Sequence, residues 1–97
     1  MGWSTRYARD MRERMPQLKL IWDFFGPRAQ GIAQHHAIHV DEFVRREGFA
    51  ATTGSESPAP GHWSAWVVLD DEHVERVRAV LRPHRAVLPD PPPGLPG

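Results

Sequence analysis

Two short segments that are apolar on both sides constrain the fold of this chain most strongly. Residues 18–25 read LKLIWDFF and residues 62–69 read HWSAWVVL. Both are short and rich in aromatic and branched residues, which predicts β-strands. Alternation places Leu20 on one side of the first strand, yet the other side still carries Ile21 and Phe25. We therefore expect both faces of these strands to be covered.

Two helices are predicted between and after these strands. A long helix is expected over residues 27–47, where apolar residues recur at helical spacing, and Gly48 is a typical C-terminal cap. Its predicted buried stripe consists of Ala29, Ile32, Ala33, His36, Val40, Phe43 and Val44. A second helix is expected to begin at Asp70 or Asp71, either of which can cap its start.

The order of elements predicts the fold class. Short strands are expected at residues 49–53 and 85–88, and residues 54–61 (GSESPAPG) have the composition of a flexible surface connection. The resulting order is strand, helix, strand, strand, helix and short strand. This order predicts a ferredoxin-like α+β sandwich, in which an antiparallel sheet carries two helices on one face.

The ends of the chain differ in composition from its centre. In residues 1–15, Trp3, Tyr7, Met11 and Met15 recur every four residues, which predicts an N-terminal helical extension. Residues 16–88 form the predicted α+β domain. Residues 89–97 (PDPPPGLPG) are expected to be a proline-rich mobile tail.

The predicted sheet has one face that the helices leave bare. Ile21, Phe25, Trp66 and Val68 would lie on it, and such a surface is too apolar for open water. The sequence therefore predicts a homo-oligomer in which two sheets face each other. A ligand-binding cleft between those sheets is the functional form of the same prediction.

Composition removes several classes of function. Twelve basic and twelve acidic residues cancel, whereas a strong nucleic-acid binder has a basic excess, so we expect no nucleic-acid partner. No apolar run approaches the roughly 20 residues that span a bilayer, and the N-terminus lacks the apolar core of a signal peptide. We therefore expect no membrane association and a cytoplasmic protein. The absence of cysteine excludes disulfides, thiolate metal sites and a cysteine nucleophile.

Three of the six histidines lie in one five-residue stretch of the long helix, at positions 35, 36 and 39. His35 and His39 are one turn apart and lean the same way, a spacing that allows two imidazoles to share a metal ion. Glu42 lies one turn further on. These residues could bind Zn, Ni, Cu or Fe(II), but a complete site needs another ligand. His62, His84 or a second subunit are the candidates.

Two other interpretations of the histidines remain open. The side of the helix that carries His35, His39 and Glu42 can be an ordinary solvated surface on which Glu42 pairs with Arg46. His36 points towards the predicted core and is expected to be a hydrogen-bonded structural histidine. It also occupies the position at which the helical zinc-protease signature requires a glutamate, so zinc-dependent proteolysis is not expected.

Asp23 and two tryptophans complete the list of candidate site residues. Asp23 lies in mid-strand among aromatic residues, where a carboxylate must pair or reach water. Arg85 on a neighbouring strand is the expected partner, and a functional carboxylate in a sheet-face cleft is the alternative. Trp22 and Trp66 are predicted to be core or interface residues, with stacking on a ligand as the alternative.

The strand block L-I-W-D-F-F-G-P, followed by H-H-x-x-H-x-x-E-F, resembles a group of small bacterial proteins with a similar strand block and histidine-rich helix. The resemblance covers the first strand and the first helix, under half of the chain. It implies a compact α+β domain and no particular activity.

These observations lead to three functional hypotheses. The first is a non-enzymatic, self-associating binding or regulatory module with a small-molecule or metal ligand, because no complete catalytic set is present. The second is a transition-metal-binding protein that uses His35, His39 and Glu42, with His62 as a further ligand. The third is a small enzyme with His36 or Asp23 in a dimer cleft.

Overall fold

A computed structural model describes residues 16–89 as an α+β unit with a four-stranded antiparallel sheet and two helices. The predictions for residues 1–15 and for the end of the proline-rich tail lie outside the described residues. The elements are β1 (Gln17–Phe25), α1 (Ala29–Glu47), β2 (Ala51–Ala59), β3 (His62–Asp70), a 3-10 turn (Asp71–His73), α2 (Val74–Leu81) and β4 (Arg85–Val87). The strand order is β2-β3-β1-β4, and each strand is antiparallel to its neighbours.

Both helices pack on the same face of the sheet, which we call the helix face. One apolar core joins this face to the two helices, and its buried members are Leu20, Trp22, Ala37, Val40, Phe43, Val44, Ala65, Val67, Leu69, Val74 and Val77. The predicted stripe of α1 was wrong at Ile32, which is 47% exposed. Ala37 is buried instead, because it lies one turn after Ala33 and one turn before Val40, on the centre line of the packed face.

The ends of α1 follow from local sequence. The helix begins at Ala29, two residues later than predicted, after a turn at residues 26–28. It ends at Gly48 as predicted, since this glycine takes the left-handed conformation (φ 77°) and its N–H bonds to the carbonyl of Arg45. Neither α1 nor α2 is both long and apolar enough to cross a membrane.

Strand β2 is a correction to the sequence analysis. Residues 54–61 were predicted to be a flexible connection, but the strand continues to Ala59 and only residues 60–61 form the turn to β3. The pairing of β2 with β3 becomes irregular between Glu56 and Ala59. Because β2 is an edge strand, its Pro58 interrupts the ladder on one side only, and backbone pairing overrides the loop-like composition.

The start of the second helix is also a correction. Neither Asp70 nor Asp71 caps α2 with its side chain; a 3-10 turn over Asp71–His73 comes first, and α2 begins at Val74. The Asp70 carboxylate instead accepts a hydrogen bond from Gln17 Nε2 at 3.2 Å. Because β1 pairs with β3, Gln17 lies opposite Asp70 and binds the carboxylate that was expected to cap the helix.

The opposite side of the sheet, which we call the open face, is partly covered by its own side chains. Ile21 is only 5% exposed, because Trp66 lies across from it on β3 and Arg85 lies across from it on β4. Trp66 and Val68 are half-buried, and Phe25 is 72% exposed. The expectation that Ile21 needs a second sheet to cover it was therefore wrong.

Candidate functional site

Two histidines of α1 meet on its exposed surface, as the helical spacing predicted. The Nε2 atoms of His35 and His39 lie 3.2 Å apart, and their rings meet edge to face with centroids 4.5 Å apart. Both residues are exposed. Because i and i+4 side chains lean the same way on a helix, this contact follows from the sequence alone.

Glu42 approaches the same pair from the following turn. Its Oε1 atom lies 3.3 Å from His39 Nδ1, the ring nitrogen that faces away from His35. Among residues 16–89, Glu42 makes this contact rather than the predicted ion pair with Arg46. His39 thus presents one nitrogen to His35 and the other to a carboxylate, and histidines that bind metal ions commonly have such a carboxylate on the nitrogen away from the ion.

His36 lies on the core side of α1, as predicted, but it is not hydrogen-bonded as expected. Its ring meets the edges of Trp22 and Phe24, with centroids 4.9 and 5.8 Å away. The Nε2 atom is buried and has no hydrogen-bond partner among the described residues. Burial, followed by the nearby histidines 39, 84 and 35, lowers the pKa of His36 below its usual value.

His62 does not join the other predicted metal ligands. It lies at the start of β3 on the open face, across the sheet from α1, and its Nε2 contacts Asp23 Oδ1 at 2.7 Å. Its ring stacks on Phe25 with a centroid distance of 4.4 Å. The sheet therefore separates His62 from the pair formed by His35 and His39.

Asp23 is the centre of a hydrogen-bonded cluster on the open face. Arg85 donates from Nε to Oδ2 at 2.8 Å and from a terminal nitrogen to Oδ1 at 3.2 Å, which confirms the predicted partner. Ser64 Oγ donates to Oδ1 at 2.8 Å, beside His62. The hydrogen bond from Arg85 and those from His62 and Ser64 outweigh burial and hold the pKa of Asp23 well below its usual range. Such a carboxylate is a weak general base.

Ser64, His62 and Asp23 do not form a nucleophilic triad, although the residue types match one. In a triad the histidine uses one ring nitrogen for the nucleophile and the other for the carboxylate. Here Ser64 Oγ and Asp23 Oδ1 both approach the same Nε2 atom, at 3.3 and 2.7 Å. Ser64 is also only 2% exposed. The cluster is thus an ion-pair network that joins β1 to β3 and β4.

The two tryptophans that were candidate site residues lie on opposite faces of the sheet. Trp22 is in the core, 2% exposed, and its Nε1–H donates to the carbonyl of Leu81 at 2.8 Å, so its indole is unavailable to a ligand or a partner. Trp66 is half-buried on the open face, where its ring lies over Gly54 and the Lys19 ammonium sits 5.0 Å from the ring centroid. Its outer side is covered by this cation.

A second group of metal-ligating side chains was missed by the sequence analysis. Ligand atoms of Asp70, Glu72 and His73 all lie within 4.8 Å of one another in the turn before α2. The His73 ring stacks on Phe49 with a centroid distance of 4.0 Å and an interplanar angle of 12°. The string D-D-E-H at residues 70–73 was the available signal, but it was interpreted only as a helix start.

Of the predicted site residues, the fold brings together His35, His39 and Glu42 on α1, and separately His62 and Asp23 on the open face. Comparisons with known protein families, with curated proteins and with solved structures each found no match.

Proposed function

We propose that this protein binds a divalent transition-metal ion through His35 and His39. The observation that carries the proposal is the 3.2 Å distance between their Nε2 atoms. Zinc binds histidine nitrogen at about 2.0–2.1 Å, so two ligands of a tetrahedral zinc ion are about 3.3 Å apart. The two imidazoles therefore already have the separation that one ion requires.

Without a metal ion, His35 and His39 can form a hydrogen bond with each other. At 3.2 Å, one ring can donate its Nε2 proton to the other as a hydrogen bond. Metal binding needs the lone pair of both Nε2 atoms, so this hydrogen bond is lost when the ion binds. Imidazole ligands favour Zn, Cu, Ni or Fe over Mg and Ca.

Glu42 supports the site without being its ligand in this proposal. Its carboxylate lies behind His39, where it favours the tautomer that leaves Nε2 free for the ion. Carboxylate partners of this kind typically change metal affinity by about 10–100-fold. This assignment revises the expectation that Glu42 binds the ion directly.

The experiment is zinc titration of the full chain, produced without a histidine tag, by isothermal calorimetry. We expect His39→Ala to abolish zinc uptake at concentrations that saturate the unmodified protein, and Glu42→Gln to weaken it at least tenfold. His73→Ala is the matched control, because it removes a histidine from the other candidate cluster.

The control also decides between the two clusters. Zinc uptake that survives His39→Ala and disappears in His73→Ala would assign the ion to Asp70, Glu72 and His73 instead. Absence of zinc, nickel and copper binding in the unmodified protein would overturn the proposal altogether.

Three further parts belong to this proposal. We propose that the fold is ferredoxin-like, since each helix follows one of the two central strands and β4 lies beside β1. We propose a self-associating binding module rather than an enzyme, because Asp23 is a weak base and Ser64 is buried. The cytoplasmic location expected from the sequence belongs to the same proposal.

A further inference from the structure

The pair formed by His35 and His39 is exposed on α1, and this limits how many ligands one chain can supply. His35 and His39 lie on the exposed side of α1, and the nearby Glu42 carboxylate already contacts His39. Two protein ligands leave two positions of a tetrahedral ion open, whereas structural zinc sites are closed by four protein ligands. A second molecule can provide the missing pair.

Two exposed isoleucines lie near the two histidines on α1. Ile32 and Ile38 are 47% and 58% exposed, although α1 is otherwise covered with polar residues on this side. Gly31, His35, Ile38 and Glu42 follow one another at steps of three or four residues and so form one stripe of the helix. Apart from its own stretch of the helix, no described residue has an atom within 4 Å of where a Cβ of Gly31 would be.

We infer that two copies of this chain share one metal ion between their α1 helices, with His35 and His39 of each copy as its four ligands. This inference rests on the proposed function. The helices would cross at the histidine pair about a two-fold axis, which makes the contact self-complementary. Ile32 and Ile38 would pack beside the ion.

Charge is balanced in this arrangement. Four neutral imidazoles leave the two positive charges of the ion uncompensated. Glu42 contacts the outer nitrogen of His39, so two copies supply two carboxylates next to the ligands. The net charge of the site is then zero, which favours its partial removal from water.

The size of the contact makes the ion necessary. A stable protein interface buries about 1,200–2,000 Å² in total, and a single crossing of two helices buries less. The apolar contact of Ile32 and Ile38 alone is therefore too small to hold two copies together. Removal of the ion should separate them, so metal availability would control the association.

The experiment combines sedimentation equilibrium with the zinc titration of the untagged full chain. With EDTA we expect the 11.0 kDa mass of one chain. With half an equivalent of zinc we expect twice that mass, and a stoichiometry of one ion for two chains. His39→Ala should remain monomeric in both conditions.

Ile38→Lys tests the contact separately from the ligands. It retains both histidines but places an ammonium beside the crossing, so we expect zinc-dependent dimerisation to weaken at least tenfold. Val80→Lys is the matched control, because Val80 is also an exposed aliphatic residue (46%) but lies on α2. Both variants replace exposed side chains, and circular dichroism verifies that they fold.

The outcomes distinguish this inference from the proposed function. One zinc ion per chain with the monomer mass would overturn the shared site but leave the metal-binding proposal intact. A dimer that persists in EDTA and in His39→Ala would also overturn the shared site. No zinc binding at all would overturn both.

Discussion

At the scale of single residues, the hydrogen bonds of the Asp23 carboxylate come from two neighbouring strands. Its two oxygens accept hydrogen bonds from Arg85 on β4 and from Ser64 and His62 on β3. Its place in mid-strand predicted that it needs a partner, and Arg85 was the right choice. The contributions of Ser64 and His62 depend on the register of β1 against β3, which the sequence does not state.

This cluster makes the stability of the protein depend on pH in a defined direction. The folded pKa of Asp23 is depressed, so its stabilisation is complete above the unfolded pKa of about 3.9 and declines as the pH falls below it. We expect Asp23→Asn to lower the free energy of unfolding by about 1–3 kcal/mol at pH 7. The difference from the unmodified protein should shrink by about 1 kcal/mol at pH 3.

Urea unfolding of both proteins at the two pH values measures this change. The same difference at pH 7 and pH 3 would mean that the charge of Asp23 contributes nothing to folding.

His36 and His84 both lie next to Phe24, and we expect their replacement by leucine to change the free energy of unfolding in opposite directions. His36 Nε2 is buried and has no hydrogen-bond partner among residues 16–89, so His36→Leu is expected to stabilise the fold by about 1 kcal/mol. His84 Nδ1 accepts the backbone N–H of Asp23 at 2.8 Å, so His84→Leu should cost about 1 kcal/mol. Thermal unfolding in EDTA compares them. Destabilisation by His36→Leu would indicate that Nε2 has a partner in solution.

At the scale of secondary-structure elements, β2 is where composition misled the sequence analysis most. Its second half, GSESPA, contains residues that favour turns, yet it pairs with β3 up to Ala59. Gly54 is not a loop residue, because a Cβ there would lie 2.6 Å from an atom of the Trp66 ring. Tertiary contact therefore explains this glycine, whereas composition alone suggested flexibility.

Two glycine substitutions test this explanation. Gly54→Ala should destabilise the protein by about 1–3 kcal/mol, since the Trp66 ring and its Lys19 cover must shift. Gly31→Ala should instead stabilise it by about 0.5–1 kcal/mol, because this helical glycine has open space around it. Chemical unfolding measures both free energies. Equal effects of the two substitutions would contradict the close packing of Trp66 on Gly54.

At the scale of the whole molecule, the open face is partly covered by its own side chains, while Phe25 stays 72% exposed. Ile21 and Trp66 are apolar, but the side chains of Lys19, Glu56 and Arg85 lie around them and form ion pairs, including Lys19 with Glu56 at 3.0 Å. The long stems of Lys and Arg cover apolar surface while their charges reach water. One layer of side chains therefore covers part of this apolar surface, and the sheet-to-sheet dimer stays a prediction.

Metal binding should be visible as a change in global stability. A ligand that binds only the folded state at a concentration 100 times its dissociation constant adds about 2.7 kcal/mol. We expect zinc to raise the Tm of the unmodified protein. His39→Ala should show no zinc-dependent shift. A shift of the same size in that variant would place the ion elsewhere.

The sequence by itself determined the features that depend on neighbours along the chain. These are the two strands with apolar faces, the long helix with its cap at Gly48, and the contact between His35 and His39, all of which follow from the repeat of one element. The tertiary structure decided which strands meet and in what register. That register buries Ile21, requires Gly54, and places His62 beside Asp23 instead of beside His35 and His39. Such contacts join residues up to 62 positions apart, and no local pattern encodes them.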